Sequence, residues 1–200
     1  MKLLQSLKIA DYISLSGLIT IWLAIVAIIH NQPFTAIFLT LFSFGIDMAD
    51  GFVARKTKSS SKFGLQLDTI IDTINYPVFI ALFAWQFLLG RSVLGSITAI
   101  IILIFSSLRL SRMAIDGIKQ TGDKKYYEGV VTPHILAVEI MLFYLSYFIF
   151  PVNTIITALI LICLSVLMVS TMKTYKPDNL SGVIGFTLVL WLISLYKLIL

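Results

Sequence analysis

Long apolar runs separated by short polar segments make up most of this chain. Polar loops with turn-forming residues lie at 30–33, 56–62, 116–130 and 173–179. A membrane-spanning helix needs about 17 residues or more, and seven apolar runs reach that length: 12–30, 34–50, 64–90, 92–115, 133–150, 152–172 and 181–200. The pattern predicts an all-α, polytopic membrane helix bundle with six core transmembrane helices and a seventh at the C-terminus. We expect a single membrane domain over 1–200.

The first ten residues carry a weaker pattern. Leu3, Leu4, Leu7 and Ala10 lie on one side of a helix, with the lysines elsewhere. Such a segment is either a short interfacial helix or the polar cap of the first span. The apolar run that follows is too long for the hydrophobic region of a signal peptide, and it lacks a clear cleavage site. We therefore expect this segment to be retained.

Composition excludes a soluble domain. Hydrophobic residues make up 58% of the chain, charged residues 12%, and the mean hydropathy is +0.98. The net charge of +5 needs no nucleic-acid partner, because topology explains where the cations lie. With a cytoplasmic N-terminus, only Arg91 and Lys197 of the 15 lysines and arginines fall on the outer side. This bias predicts a plasma-membrane protein whose 47–72 stretch lies at the cytoplasmic face.

Four aspartates stand out in the 47–72 stretch: Asp47, Asp50, Asp68 and Asp72. Helical spacing brings each pair to one face, about 60° and 40° apart around the axis. If the two helices face each other, four carboxylates meet, and their mutual repulsion is relieved by one or two hard divalent cations. The alternative is that they are helix-end carboxylates paired with nearby lysines. The position of Asp72 inside an apolar run argues against that alternative.

The same stretch reads D-x2-D-G-x2-A-R-x8-G-x3-D-x3-D, which resembles the signature of the CDP-alcohol phosphatidyltransferases. Its eight fixed positions are Asp47, Asp50, Gly51, Ala54, Arg55, Gly64, Asp68 and Asp72. The resemblance implies an integral membrane enzyme that transfers a phosphatidyl group from CDP-diacylglycerol to a small alcohol and releases CMP. It also implies a homodimer.

The resemblance also implies roles for individual residues. Metal ligands would be Asp47, Asp50, Asp68 and Asp72, holding two ions of Mg²⁺ or Mn²⁺. Asp72 would be the general base, and Asp68 would share in catalysis. The contacts to CDP would come from Asp50, Gly51, Ala54, Arg55, Ser61 and Gly64.

Shorter segments resemble the phosphatidylserine synthase branch of this family, at 61–68, 109–112 and 127–133. L-Serine is therefore the favoured acceptor alcohol. The alternatives are glycerol 3-phosphate, inositol phosphate, or a CDP-choline or CDP-ethanolamine type of substrate. The branch's usual segment after the last aspartate is replaced by residues 73–77, which leaves the acceptor open.

Arg109 and Arg112 lie one turn apart on one helix face. They suit an anionic group, either the acceptor carboxylate or the lipid phosphate. Their alternative role, as positively charged anchors at a helix end, is left open. A different class of function is a cation transporter that uses the aspartates as ion ligands. We favour it less, because the sequence shows neither an internal repeat nor matched broken helices.

Overall fold

The computed structural model describes residues 7–57, 61–122, 124–176 and 181–199. Its helices are α1 Ile9–Ile29, α2 Pro33–Lys56, α3 Lys62–Thr73, α4 Phe79–Phe83, α5 Val93–Asp116, α6 Thr132–Phe148, α7 Thr154–Met168 and α8 Ser181–Ile199. Two π-helices flank α4, at Ile74–Val78 and Ala84–Leu88. Three strands are present: β1 Lys119–Thr121, β2 Lys124–Glu128 and β3 Lys173–Tyr175.

The predicted all-α membrane bundle is confirmed. Within the described residues, five helical segments are long and apolar enough to cross a membrane: Ile9–Ile29, Pro33–Val53, Gln66–Leu88, Val93–Asp116 and Ser181–Ile199. The predicted spans 133–150 and 152–172 are shorter as helices, because α6 ends at Phe148 and α7 begins only after Asn153. The Asn153 side chain caps α7 by accepting hydrogen bonds from the amides of Ile155 and Ile156, at 2.8 and 3.3 Å.

The interfacial helix predicted for residues 1–10 falls mostly outside the described residues. Ile9 and Ala10 are the first residues of α1 itself, and the amide of Lys8 is capped by the Asp11 carboxylate at 2.8 Å.

The third span is an irregular helix. Pro77 lies inside the π-helix Ile74–Val78. Proline has no amide hydrogen and its ring crowds the preceding turn, so the regular ladder of hydrogen bonds cannot continue there. The second π-helix closes with a hydrogen bond from the Leu89 amide to the Ala84 carbonyl, at 2.8 Å. Positive φ angles at Gly90 and Arg91, of 61° and 55°, then end the span.

Two segments predicted as polar loops, 116–130 and 173–179, instead contribute a small antiparallel sheet of order β1-β2-β3. Lys119 pairs with Tyr126 across β1 and β2, and Glu128 pairs with Lys173 across β2 and β3. The ammonium of Lys119 donates to the Glu128 carboxylate at 2.8 Å. This hydrogen bond lowers the pKa of Glu128 and raises that of Lys119.

The chain forms two compact units, one of residues 1–75 and 191–200 and the other of residues 76–190. In the first unit, α1 packs along α2, and the buried side chains include Ile21, Ala24 and Ile37. The indole of Trp191 stacks on Phe38 with ring centroids 4.6 Å apart.

In the second unit, α5 packs on α7, and the Ser106 hydroxyl donates to the Met168 sulfur at 3.4 Å. Phe83 lies between Phe79 and Phe143, with centroid distances of 5.4 and 5.3 Å. The single domain over 1–200 stays a prediction.

Candidate active site

Three carboxylates converge between α2 and α3. One oxygen atom each from Asp47, Asp50 and Asp68 lies within 4.8 Å of the other two. Asp50 is buried, with 7% of its surface exposed, and the other two are half-buried. Asp72 lies one turn farther along α3 and is not in that group. The structure therefore brings together three of the four aspartates that the sequence singled out.

Helix geometry explains the convergence. Asp47 and Asp50 lie one turn apart in the C-terminal part of α2. Helix α3 begins after Ser61, whose hydroxyl accepts a hydrogen bond from the Gly64 amide at 2.9 Å. This cap fixes the first turn of α3 and so sets Asp68 opposite the α2 pair.

The donor set suits a hard divalent cation. Three carboxylates this close repel one another when ionised, and bound positive charge relieves that repulsion. All three donors are oxygen atoms, which magnesium and manganese prefer over softer ligands such as thiolate sulfur. The spacing of the three oxygen atoms thus fits the metal that the sequence analysis expects.

Helix α1 also contributes to this site, which the sequence analysis missed. The Ser14 hydroxyl lies 2.5 Å from the Asp50 Oδ2 atom, and both side chains are buried. Asp11, also buried, lies beside α3, since a Cβ atom added to Gly64 would be 2.7 Å from Asp11 Oδ1. The sequence held one sign of this contribution from α1. Asp11, Ser14 and Gly17 recur every three residues at the start of an apolar run.

The remaining residues expected to contact CDP lie around the carboxylates or outside the described side chains. Gly51 follows Asp50 directly in α2, and Ser61 and Gly64 form the first turn of α3. Ala54 and Arg55 belong to α2, but their side chains are outside the described part of the structure.

Arg112 is held by backbone carbonyl groups. Its guanidinium donates to the carbonyl oxygens of Glu128 at 2.7 Å and Met168 at 2.9 Å, and also to those of Val169 and Ser170. Three of these acceptors lie at the C-terminal end of α7, where helix carbonyls lack partners within the helix. Arg112 therefore ties the end of α7 to the end of β2.

Arg109 is also buried, with 6% exposed. Its Nη1 atom lies 3.5 Å from the Thr132 hydroxyl, and its guanidinium carbon lies 5.9 Å from the centre of the Tyr127 ring. Burial raises the pKa of Tyr127, which keeps its phenol neutral. A small cavity of about 20 Å³ is lined by Arg109, Arg112, Lys119 and Tyr127, among others. Asp116 and Glu128 line the same cavity and both pair with Lys119, so its three cationic side chains are partly balanced by two carboxylates.

Known proteins resemble this chain in sequence. A CDP-diacylglycerol–serine O-phosphatidyltransferase of Methanocaldococcus jannaschii is 35% identical over 113 residues, covering 56% of this chain and 52% of that protein. This chain thus spans about half the length of that relative. The archaetidylserine synthase of Methanothermobacter thermautotrophicus is 29% identical over 183 residues, covering 88% of this chain and 75% of that protein.

The fold is shared with a phosphatidylinositol phosphate synthase of Mycobacterium tuberculosis. Its structure with CDP-DAG bound aligns with a TM-score of 0.59 at 21% identity, covering 84% of each chain. Its complex with manganese and citrate gives a TM-score of 0.59 at 22% identity, covering 81% of this chain and 78% of that one.

The model of one family, described as CDP-alcohol phosphatidyltransferase, matches residues 7–169. The match includes all eight signature positions and the three converging carboxylates. The chain therefore belongs to the CDP-alcohol phosphatidyltransferase family.

Proposed function

We propose that this protein transfers a phosphatidyl group from CDP-diacylglycerol to L-serine and releases CMP. The observation that carries the proposal is the convergence of the Asp47, Asp50 and Asp68 oxygens within 4.8 Å, inside the family signature. Two relatives named for serine transfer support the choice of acceptor. The CDP-DAG bound to the mycobacterial synthase supports the choice of lipid donor.

Asp47, Asp50 and Asp68, together with Asp72 from the next turn of α3, are the proposed ligands of two Mg²⁺ or Mn²⁺ ions. Support comes from their all-oxygen donor set and from the manganese in the mycobacterial complex. When bound, the ions would neutralise the charge of the pyrophosphate and of the departing CMP.

The residues of the chain supply the proton transfer. Asp72 is the proposed general base, because it follows Asp68 by one turn and a carboxylate within reach of a hydroxyl accepts its proton. The serine oxygen then forms a bond to the phosphorus that carries the diacylglycerol. The bond from that phosphorus to the CMP oxygen breaks, and CMP leaves as an anion. Asp68, one of the proposed metal ligands, is the second proposed catalytic residue.

The proposed CDP-binding residues are Asp50 and residues that lie between it and Asp68 in the sequence. Gly51 follows Asp50 in α2, Ser61 and Gly64 belong to the first turn of α3 before Asp68, and Asp50, Ala54 and Arg55 complete the proposed set. Glycine allows a ligand to approach the backbone closely, and arginine suits phosphate.

Arg109 is the proposed contact for the serine carboxylate, with the lipid phosphate as the other candidate ligand. It is buried, and it borders the small cavity that Arg112 and Tyr127 also line. A buried carboxylate needs a partner of opposite charge, and arginine provides a strong, often bidentate one. Arg112 also borders the cavity, but its donors already bind four carbonyl groups. We therefore assign a structural role to Arg112, and Arg109 remains the proposed contact for the acceptor.

The protein is an integral membrane protein, since five of its helical segments are long and apolar enough to cross a bilayer. The distribution of lysine and arginine supports a site on the cytoplasmic side, and the plasma membrane is the proposed location. A homodimer is the expected assembly, on the resemblance to the family.

The direct test is CMP release by purified protein from CDP-diacylglycerol and a panel of acceptors: L-serine, glycerol 3-phosphate and inositol phosphate. CDP-choline and CDP-ethanolamine, each with diacylglycerol, complete the panel. We expect CMP only with CDP-diacylglycerol and serine. Release with another acceptor alone would reassign the acceptor, and no release with any pair would overturn the reaction class.

A further inference from the structure

Ser14 of α1 makes one of the closest polar contacts in the carboxylate site. Its hydroxyl lies 2.5 Å from Asp50 Oδ2 and 3.1 Å from the Ala10 carbonyl oxygen. A hydroxyl has one proton to donate, and a short distance to a carboxylate is typical of a charge-assisted hydrogen bond. The proton is therefore directed mainly at Asp50. Because Ser14 and Asp50 are both buried, water does not compete well for this bond.

A second hydrogen bond joins the same two helices one turn deeper. The Ser43 hydroxyl of α2 donates to the Gly17 carbonyl oxygen of α1 at 3.2 Å, and Ser43 is buried. Ser43 and Ser14 each connect α1 to α2, but only Ser14 touches a carboxylate of the cluster. The chain thus contains a matched pair of contacts, one of which involves a proposed metal ligand.

We propose that Ser14 is a positioning residue that fixes the orientation of the Asp50 carboxylate for binding of the divalent cation. A hydrogen bond to Oδ2 restricts rotation of the Asp50 carboxylate, whose position sets its approach to Asp47 and Asp68. Groups that hydrogen-bond to metal ligands fix ligand orientation, and losing one typically weakens metal binding by about 10- to 100-fold. The inference rests on the proposed function in one respect, which is that the carboxylates bind a divalent cation.

The test is Mn²⁺ binding, measured by electron paramagnetic resonance on purified protein in detergent without any lipid substrate. Ser14→Ala is compared with Ser43→Ala, which removes the neighbouring interhelical hydrogen bond, and with Ser16→Ala. Ser16 is exposed on α1 and donates to the Ile13 carbonyl at 2.6 Å. Ser14→Thr keeps the hydroxyl. If Ser14→Ala does not fold, Ser14→Cys replaces it, since a thiol is a weak donor of similar size.

We expect Ser14→Ala to raise the Mn²⁺ dissociation constant by about tenfold or more, and Ser14→Thr to restore most of the affinity. Ser43→Ala should lower the melting temperature without changing Mn²⁺ affinity, and Ser16→Ala should change neither. Wild-type Mn²⁺ affinity in Ser14→Ala would overturn the role of Ser14 and leave the proposed metal site standing. An equal loss of Mn²⁺ affinity in Ser43→Ala would have the same meaning. If the wild-type protein binds no Mn²⁺, the inference and the proposed metal site fail together.

Discussion

The guanidinium of Arg112 donates a hydrogen bond to the carbonyl oxygen of Glu128 at 2.7 Å. The same group donates to the Met168 carbonyl at 2.9 Å, at the end of α7. Gly129 lies in this junction with φ of 78°, and a Cβ atom there would be 2.0 Å from the Met168 oxygen. Arginine and glycine together allow the loop after β2 to lie directly on the end of α7.

The first prediction follows from these contacts. Arg112→Ala should destabilise the protein by about 2–3 kcal/mol, because several partly buried carbonyl groups lose a charged donor. Thermal unfolding in detergent measures this loss. Arg91→Ala is the control, since Arg91 donates to the side chain of Gln86 at the surface. Arg91→Ala should change the melting temperature little. A melting temperature of Arg112→Ala equal to the wild type would contradict the structural role.

The second prediction concerns the acceptor. Arg109→Ala should raise the KM for serine by about 30- to 150-fold, which corresponds to the loss of one charged hydrogen-bonding pair. The KM for CDP-diacylglycerol should change much less. Arg109→Lys should recover only part of the loss, because lysine lacks the planar guanidinium. Steady-state kinetics with both substrates varied measures the split. An unchanged KM for serine would contradict acceptor binding by Arg109 and favour its alternative role as a positively charged anchor at a helix end.

The third prediction uses two glycines in neighbouring helices. Gly64→Ala places a Cβ atom 2.7 Å from Asp11 Oδ1 and 3.1 Å from the Ser61 hydroxyl, so the Asp11 carboxylate or the first turn of α3 must shift. Overpacking of this kind costs about 1–3 kcal/mol, and we expect a raised KM for CDP-diacylglycerol. In α2, a Cβ atom at Gly45 meets nothing within 4 Å.

Gly45→Ala is therefore the matched control, and it should stabilise the protein by about 0.5–1 kcal/mol through helix propensity. Asp11→Ala should partly relieve the effect of Gly64→Ala, which a double-mutant cycle detects. If Gly64→Ala has wild-type kinetics and stability, the close approach of Asp11 to α3 is contradicted.

The fourth prediction is metal dependence. Exhaustive chelation should abolish CMP release, and Mg²⁺ or Mn²⁺ should restore it, because the site offers only carboxylate oxygens. Titration of each metal into chelated protein measures the recovery. Full activity after chelation would contradict a cation site at Asp47, Asp50 and Asp68.

Hydropathy was sufficient to predict the helices, because a membrane span requires a long apolar run and leaves an unmistakable pattern. The carboxylate convergence was also predictable, since helical spacing places Asp47 and Asp50 on one face. Helix ends were less predictable. The capping side chain of Asn153 delays the start of α7, although the apolar run is nearly continuous across 133–172.

The small sheet could not be predicted from the sequence. Its strands have three to five residues, and β3 lies far along the chain from β2. Short polar strands leave no periodic apolar signal, so only the folded pairing reveals them. Ser14 was missed for a related reason. It precedes Asp50 by 36 residues with no fixed spacing, and a serine in an apolar helix is common.

The central claim is that the carboxylate cluster carries out phosphatidyl transfer. The most direct measurement is the rate of CMP release from CDP-diacylglycerol and serine, with Asp68→Asn compared with the wild type in saturating Mn²⁺. The control is Arg91→Ala, which alters a charged side chain that donates to Gln86 at 2.9 Å outside the cluster.

Both variants should be recovered folded and membrane-inserted. We expect Arg91→Ala to keep the wild-type rate and Asp68→Asn to lose it. A rate for Asp68→Asn above about a tenth of the wild type, a barrier change under about 1.4 kcal/mol, would contradict direct participation of the cluster in the reaction.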